Sequence, residues 1–312
     1  SMSIQYTKYD EKGKAVKVYE EYTIELLDDV EIGNEKGDNK YKAITLPTKA
    51  SEVTIWGYGK EIRFTGNVTL RCNTMFDNVN LTPLKVVKSE VVPAVVNFAV
   101  GNFIMTLKNG ANCGKFDMNL NAFVSCFSNI SGSAKGRLIL RENCSIAVNG
   151  ISGVAIEFRG DRNAFVTDYM GNAVKSEIRA IGNVSTKEIR YADYAAGNLM
   201  VDGNLTTDAI YVDGVTKPEI TVKEGTLTKV NGITITEGKN KIFDSVVFTK
   251  DHMSNGTDSV SLSVTSKRGN GMLSGTKLIT GKYLDRSDWS VFVDGIPYRA
   301  YADNANLYLG SK

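Results

Sequence analysis

The sequence predicts an all-β protein, and within that class a right-handed parallel β-helix with a β-rich N-terminal edge and a C-terminal cap. Most segments are short runs of Val, Ile, Thr, Phe and Tyr that Gly or Asn interrupts. The 312 residues include 29 glycines but only 5 prolines. The hydrophobic fraction of 42% is large enough for a substantial core.

A recurring four-residue pattern favours the solenoid within the all-β class. A Gly-Asn pair is followed by an apolar residue and then by Thr or Ser, and a looser copy begins at Gly101. The intervals fit turns of about twenty residues with insertions, as in solenoids and β-helices. The clear copies are Gly66-Asn67-Val68-Thr69, Gly182-Asn183-Val184-Ser185-Thr186 and Gly203-Asn204-Leu205-Thr206.

Equal spacings of single residue types indicate ladders of stacked side chains. Residues one turn apart in a parallel β-helix lie above one another, so identical side chains can form such ladders. Two antiparallel β-sandwich domains, divided near residue 190 or 245, are the alternative architecture. The predicted ladders are Phe76, Phe98 and Phe116, and Asn102, Asn121 and Asn143.

Changes in residue composition and hydrophobic pattern along the chain suggest three segments. Residues 1–42 are expected to form N-terminal strands, 43–245 the β-helix and 246–312 a C-terminal β cap. The last segment is rich in aromatic residues and contains Asp294-Gly295, a hairpin dipeptide. A cap is expected because the last turn of a solenoid has an open edge that must be covered.

Charge and hydropathy argue against two classes of partner. The chain has 37 basic and 35 acidic residues, and a formal charge of +2. Nucleic-acid binding requires clustered Lys and Arg, so we expect no nucleic-acid partner. No apolar run is long enough for a membrane helix, and we expect no membrane insertion by this segment.

The four cysteines are expected to be buried thiols. Cys72, Cys113, Cys126 and Cys144 contain no Cys-x-x-Cys pair, so their spacing indicates neither a zinc site nor a thioredoxin-type motif. Four cysteines are too few for a disulfide scaffold. Free cysteine behaves as a small apolar side chain.

Catalytic, metal and cofactor sites are not expected. Glycosidases need two carboxylates at a defined separation, whereas the acidic residues here are scattered. Asp193, Asp202 and Asp213 could still fall on neighbouring turns. The single histidine, His252, lies in a turn-like segment without a nucleophile motif. That segment also departs from the calcium-loop pattern at Met253.

Four aromatic residues are the candidate binding residues: Trp56, Tyr58, Trp289 and Tyr298. Aromatic rings stack on sugars and anchor protein interfaces, so exposed copies would mark a binding surface. The alternative is that these rings plug the ends of the solenoid.

One region resembles a known class of proteins. The segments Thr45-Leu46-Pro47, Val53-Thr54-Ile55-Trp56-Gly57, Gly66-Asn67-Val68-Thr69-Leu70 and Thr74–Leu81 follow in that order. This order resembles the start of β-helical repeat regions in large cell-surface proteins of Gram-positive gut bacteria. The resemblance implies an adhesin or host-factor binder, with no catalytic residues. It also implies a secreted, wall-associated fragment of a larger protein.

These observations together predict a non-enzymatic surface module. Its extended β face would bind a host protein or glycan, since a flat polar face suits a broad, shallow contact better than a deep pocket. The alternatives are a polysaccharide-active β-helix enzyme, a lyase or a glycosidase, and a structural spacer of a larger wall protein.

Overall fold

The computed structural model describes residues 6–9, 15–18, 21–32, 52–87, 90–93, 96–160, 175–213, 216–223, 226, 228–236, 245–246, 259–265 and 274–311. Regular structure in these residues consists of β-strands and one short 3-10 turn, Leu284–Arg286. None of the described residues belongs to a helix that is long and apolar enough to cross a membrane. The prediction of an all-β chain is confirmed.

The strands are numbered in chain order. The first eleven are β1 (Tyr6–Tyr9), β2 (Ala15–Val18), β3 (Glu21–Glu25), β4 (Val30–Ile32), β5 (Glu52–Trp56), β6 (Glu61–Phe64), β7 (Val68–Thr69), β8 (Asn73–Asp77), β9 (Asn80–Thr82), β10 (Leu84–Val87) and β11 (Glu90–Pro93). The next eleven are β12 (Asn97–Gly101), β13 (Ile104–Lys108), β14 (Asn112–Cys113), β15 (Lys115–Asp117), β16 (Ala122–Ser125), β17 (Phe127–Gly132), β18 (Arg137–Leu140), β19 (Ser145–Ser152), β20 (Ala155–Arg159), β21 (Ser176–Ala180) and β22 (Val184–Ala192). The remaining strands are β23 (Ala196–Val201), β24 (Leu205–Asp213), β25 (Lys217–Val222), β26 (Thr228–Thr236), β27 (Ser245–Val246), β28 (Ser259–Thr265), β29 (Lys277–Thr280), β30 (Asp288–Val293), β31 (Ile296–Tyr298), β32 (Ala300–Ala302) and β33 (Asn306–Leu309).

Three parallel stacks of strands, which we name faces 1, 2 and 3, form the body of the molecule. Face 1 contains β3, β5, β8, β13, β18, β20, β22, β24, β26, β28 and β30 in stacking order. Face 2 contains β4, β6, β9, β14, β19, β21, β23, β25 and β27. Face 3 contains β7, β12, β17, β19, β22, β24 and β26. Strand β19 also belongs to face 2, and β22, β24 and β26 also belong to face 1.

This pairing pattern is that of a parallel β-helix. The chain visits the faces in turn, and each strand pairs in parallel with the equivalent strand one turn later. The alternative of two antiparallel sandwiches is therefore wrong, because sandwich strands pair with antiparallel neighbours. The right-handed sense of the coil stays a prediction.

The core consists of residues that hold the same position on successive turns. Strand β5 shows the local pattern, with Val53 and Ile55 buried and the residues between them more exposed. A fully buried aliphatic side chain of this kind stabilises the fold by about 1.5–3 kcal/mol. The inward ladder that starts at Val53 is entirely buried, and it contains Val53, Thr74, Met105, Leu138, Ile156, Ile189, Ile210, Ile233, Leu262 and Val291.

Turn length varies because hairpins are inserted between faces. The register partners Ile189 and Ile210 are 21 residues apart, whereas Met105 and Leu138 are 33 apart. The longer turn contains the antiparallel hairpin β15–β16, and an earlier turn contains the hairpin β10–β11. The predicted turns of about twenty residues with insertions are confirmed.

The Gly-Asn repeats stack where the chain enters face 3. Val184 and Leu205, which belong to two copies of the repeat, are register partners. The backbone amide of Asn204 donates a hydrogen bond to Oδ1 of Asn183 at 2.9 Å. The looser copy at Gly101 lies elsewhere, where β12 ends and the chain turns towards face 1.

The two predicted ladders of single residue types are wrong. Phe76 lies on face 1, Phe98 on face 3 and Phe116 on the β15–β16 hairpin. The first two rings do meet across the interior, with centroids 6.4 Å apart, but they are not register partners. Equal spacing does not give equal position here, because the inserted hairpins change the length of a turn. The predicted asparagine ladder is divided in the same way. Asn102 lies between β12 and β13, Asn121 in the β15–β16 hairpin and Asn143 between β18 and β19.

The parallel stack extends beyond the predicted 43–245 range on both sides. Strand β3 pairs in register with β5, and β28 and β30 continue face 1 after β26. The predicted hairpin at Asp294-Gly295 is present between β30 and β31, and both turn residues have positive φ, 50° and 79°. Strands β29, β33 and β32 form an antiparallel sheet at the same end of the chain. The division into three domains stays a prediction.

The cysteines are free thiols. Cys72, Cys113 and Cys144 are buried as predicted, and Cys126 is half-buried. Burial raises the pKa of Cys113 far above the usual thiol value, and it raises the pKa of Cys144 to about 12. These side chains therefore serve as apolar core residues.

Candidate functional site

The first candidate site lies where face 1 turns towards face 2. Trp56 is the last residue of β5 and is the register partner of Asp77, the last residue of β8. Its side chain points away from the core, which the neighbouring Ile55 enters. The indole is 39% exposed, so a large apolar ring stands on the outer surface of face 1.

Tyr58 follows in a left-handed corner. Its φ is 51°, and Asn78 and Asn109 have φ values of 53° on the next two turns. Gly57 makes this corner possible, because a Cβ at this position would meet the carbonyl oxygen of Asn78 at 2.5 Å. The tyrosine ring is 61% exposed, so the corner directs it into solvent beside Trp56.

These residues line a shallow groove of about 360 Å³. Trp56 and Tyr58 provide aromatic walls, and Asp77, Asn78 and Asn109 provide carboxylate and amide groups. Nδ2 of Asn109 donates a hydrogen bond to Oδ1 of Asp77 at 2.8 Å, which fixes the carboxylate in place. An apolar plane beside a few oriented polar groups is an arrangement that binds a ring with hydroxyl substituents.

The other two predicted binding residues are not part of this groove. Trp289 lies on β30, nine strand spacings from Trp56, or roughly 43 Å along the stack. Its Nε1 donates a hydrogen bond to the carbonyl oxygen of Leu284 at 2.8 Å, and the ring packs partly buried against the core. Tyr298 on β31 also packs against the core. Their contacts fit the alternative role of covering the end of the solenoid.

A second groove of about 540 Å³ lies further along the same outer face. Its centre is Glu157, whose side chain is only 2% exposed although it points outward from face 1. Oε2 of Glu157 lies 2.8 Å from Nη1 of Arg137, and Oε1 lies 2.6 Å from Nη2 of Arg159. A buried carboxylate needs such partners, because an unpaired charge is costly to bury.

Glu188 extends this network to the next turn. Its Oε1 accepts hydrogen bonds from Nη1 of Arg137 and Nε of Arg190, both at 2.9 Å. Burial acts to raise the pKa of Glu188, but the hydrogen bonds from Arg190 and Arg137 outweigh burial and hold the pKa below its usual value. The Arg190 guanidinium also lies over the ring of Tyr211, 4.5 Å from its centroid.

Two of the three aspartates singled out in the sequence reach this groove. Asp193 and Asp213 line it together with Glu157, whereas Asp202 follows β23 on face 2. Among the described residues no three His, Cys, Asp or Glu side chains are grouped so that they could hold a metal ion. His252 and the surrounding calcium-like segment lie outside the described residues.

The network of glutamates and arginines was missed in the sequence, although a tripeptide pattern marks it. Glu157-Phe158-Arg159 and Glu188-Ile189-Arg190 each place two charged side chains on the same side of a strand. The two tripeptides are offset by two residues in the stack, so Glu157 is the register partner of Arg190. A search for Glu-apolar-Arg on successive turns would have found the cluster.

Comparisons of the chain with protein-family models, curated proteins and solved structures found no match.

Proposed function

We propose that this chain is a non-enzymatic binding module that holds a glycan on the outer surface of face 1. The observation that carries the proposal is the groove of Trp56 and Tyr58 above Asp77, Asn78 and Asn109. A sugar ring has an apolar side of C–H groups and a rim of hydroxyls. The exposed rings suit the first, and the amide and carboxylate groups suit the second.

The shape of the surface favours a glycan over a folded protein. Both grooves are shallow and lie along the parallel sheet of face 1, whose strands are about 4.8 Å apart from turn to turn. Protein interfaces concentrate their binding energy in buried aromatic and arginine anchors within large areas. Trp56 and Tyr58 lie together at one corner, and a narrow ligand can cover both.

The charge network supports a non-catalytic role. The carboxylates of Glu157 and Glu188 both contact Nη1 of Arg137, at 2.8 and 2.9 Å. A glycosidase needs one carboxyl group that stays protonated to act as the acid. The hydrogen bonds from Arg190 and Arg137 hold the pKa of Glu188 below its usual value, which favours the ionised form of that carboxylate.

One observation favours the alternative of a polysaccharide-active enzyme. Glu157, Asp193 and Asp213 line one groove, and carboxylates gathered on the surface of a solenoid can act on sugars. Release of new reducing or unsaturated ends from a bound polysaccharide would establish this alternative. Unchanged polymer length after prolonged incubation would support the binding module.

The setting of the module is part of the proposal. The resemblance of residues 43–245 to β-helical regions of Gram-positive cell-surface proteins supports a secreted, wall-associated adhesin that binds a host glycan. A structural spacer is the remaining alternative. It predicts that the purified chain binds no glycan at all.

The direct test is a glycan array, followed by calorimetry with the best ligand, with and without calcium. Trp56→Ala and Tyr58→Ala should each weaken binding about tenfold or more, because each removes one aromatic wall. Tyr301→Ala is the matched control, since Tyr301 is 55% exposed but lies on β32 near the other end. Equal losses in all three variants, or no ligand on the array, would overturn the proposal.

A further inference from the structure

The outer surface of face 1 between the two grooves is lined by cationic side chains. Three of them lie in one row on successive turns. Each comes directly after an inward-facing residue, and these inward-facing residues are register partners of one another, so the cations that follow them are also aligned. The pairs of inward and cationic residues are Leu107 and Lys108, Leu140 and Arg141, and Phe158 and Arg159. This row continues the line of Trp56 and Asp77.

The same stretch has more cations than carboxylates. The cations are Lys108, Arg137, Arg141, Arg159 and Arg190, and the carboxylates that pair with them are Glu142, Glu157 and Glu188. Carboxylates bound this excess at both ends, because Asp77 lines the first groove and Asp193 and Asp213 line the second. The positive stretch therefore covers the turns from β13 to β22.

Two cationic side chains in this stretch, Arg190 and Lys108, could bind a ligand. Nε of Arg190 donates a hydrogen bond to Glu188, and its terminal Nη groups form no hydrogen bond with a described residue. The guanidinium is 39% exposed and lies at the groove wall. Lys108 forms no ion pair with any described residue. Guanidinium Nη pairs match the two oxygens of a carboxylate, and an ammonium group adds a point charge.

We propose that the ligand of this face is a linear polysaccharide with carboxylate groups, lying along face 1 from the Trp56 groove to the Arg159–Arg190 groove. This inference rests on the proposed function and specifies its ligand. Trp56 and Arg159 are four strand spacings apart, or roughly 19 Å, so the ligand must span several sugar units. A ring at the Trp56 end stacks on the indole, and carboxylates further along contact Lys108 and Arg190.

The experiment compares a polyuronate with the same polymer after chemical reduction of its carboxyl groups. Calorimetry or biolayer interferometry should give tighter binding to the polyuronate, and that binding should weaken as salt increases. Oligomers of increasing length should gain affinity until they span both grooves. Lys108→Gln and Arg190→Gln should each weaken binding about fivefold, because each removes a charged contact.

Lys223→Gln is the matched control, because Lys223 is an exposed cation that follows β25 on face 2. It should bind like the unaltered chain, and circular dichroism should show that all three variants fold. Equal binding of the reduced polymer, with no effect of Lys108→Gln or Arg190→Gln, would overturn the inference and leave glycan binding at Trp56 intact. Failure of every polysaccharide to bind would overturn both proposals.

Discussion

Tyr58 and Asn78 occupy the same left-handed corner on consecutive turns, with φ values of 51° and 53°. The amide of Gly59 donates a hydrogen bond to the carbonyl oxygen of Asn78 at 2.8 Å, so the two corners are held together. Asparagine adopts this conformation readily, whereas a tyrosine in it is strained. A strained residue at an exposed groove is the pattern expected where a side chain serves binding rather than stability.

Tyr58→Asn should therefore stabilise the fold while it weakens glycan binding about tenfold or more. Relief of the corner strain should raise the free energy of unfolding by up to about 1 kcal/mol, seen as a higher midpoint in thermal unfolding. Calorimetry on the same sample should show the loss of glycan affinity. A variant that unfolds at a lower temperature would mean that the tyrosine ring supports the corner instead.

Glu157→Gln should destabilise the chain. The substitution removes the buried carboxylate between Arg137 and Arg159, but both arginines are partly exposed and Arg137 keeps Glu188, so the change should cost about 2 kcal/mol. Denaturant unfolding measures the difference. Glu61→Gln is the matched control, because its pair with Arg63 is more exposed and should contribute less than about 1 kcal/mol. Similar losses in both variants would contradict the central role of Glu157.

Glu188 should make stability depend on acidity in a defined direction. Its pKa in the folded chain lies below the usual value of about 4.5, so the ionised group stabilises the fold above that pH. This contribution is lost as pH falls through the lowered pKa. The unaltered chain should unfold at a higher temperature than Glu188→Gln. This difference should be largest near pH 6 and should decrease below about pH 4.5. A difference that grows on acidification would contradict the assignment.

The thiols should differ in reactivity. Cys126 is half-buried, whereas Cys72, Cys113 and Cys144 lie in the core. Burial raises the pKa of Cys144 to about 12, so almost no thiolate is present at neutral pH. Iodoacetamide should modify Cys126 first in the folded chain and all four cysteines after unfolding, as intact mass spectrometry would show. Rapid modification of Cys113 would indicate that the turns open locally.

The architecture was predictable from the sequence because turn chemistry repeats. The Gly-Asn segments at Asn183 and Asn204 predicted stacking, and the structure confirms it through their direct hydrogen bond. The phenylalanine ladder was wrong because spacing in the chain reports position only when no hairpin intervenes. Phe116 lies on such a hairpin, β15–β16.

The candidate site was only partly predictable. Trp56 and Tyr58 were identified because aromatic residues beside glycines are conspicuous in a sequence, and the structure shows that both are exposed. Asp77 and Asn109 were not identified, since they reach the groove only through register with later turns. Glu157 was missed for a related reason: its burial depends on Arg137, which reaches it only through the register of the neighbouring turn.

The ladder from Val53 to Val291 means that each turn of the chain contacts mainly the turns before and after it. Duplication of one turn would therefore leave the remaining contacts intact and lengthen the outer surface by about 4.8 Å. Related chains could therefore change their affinity for a polymer by gaining or losing whole turns, while each existing contact stays the same. Selection for affinity would then act on the number of turns.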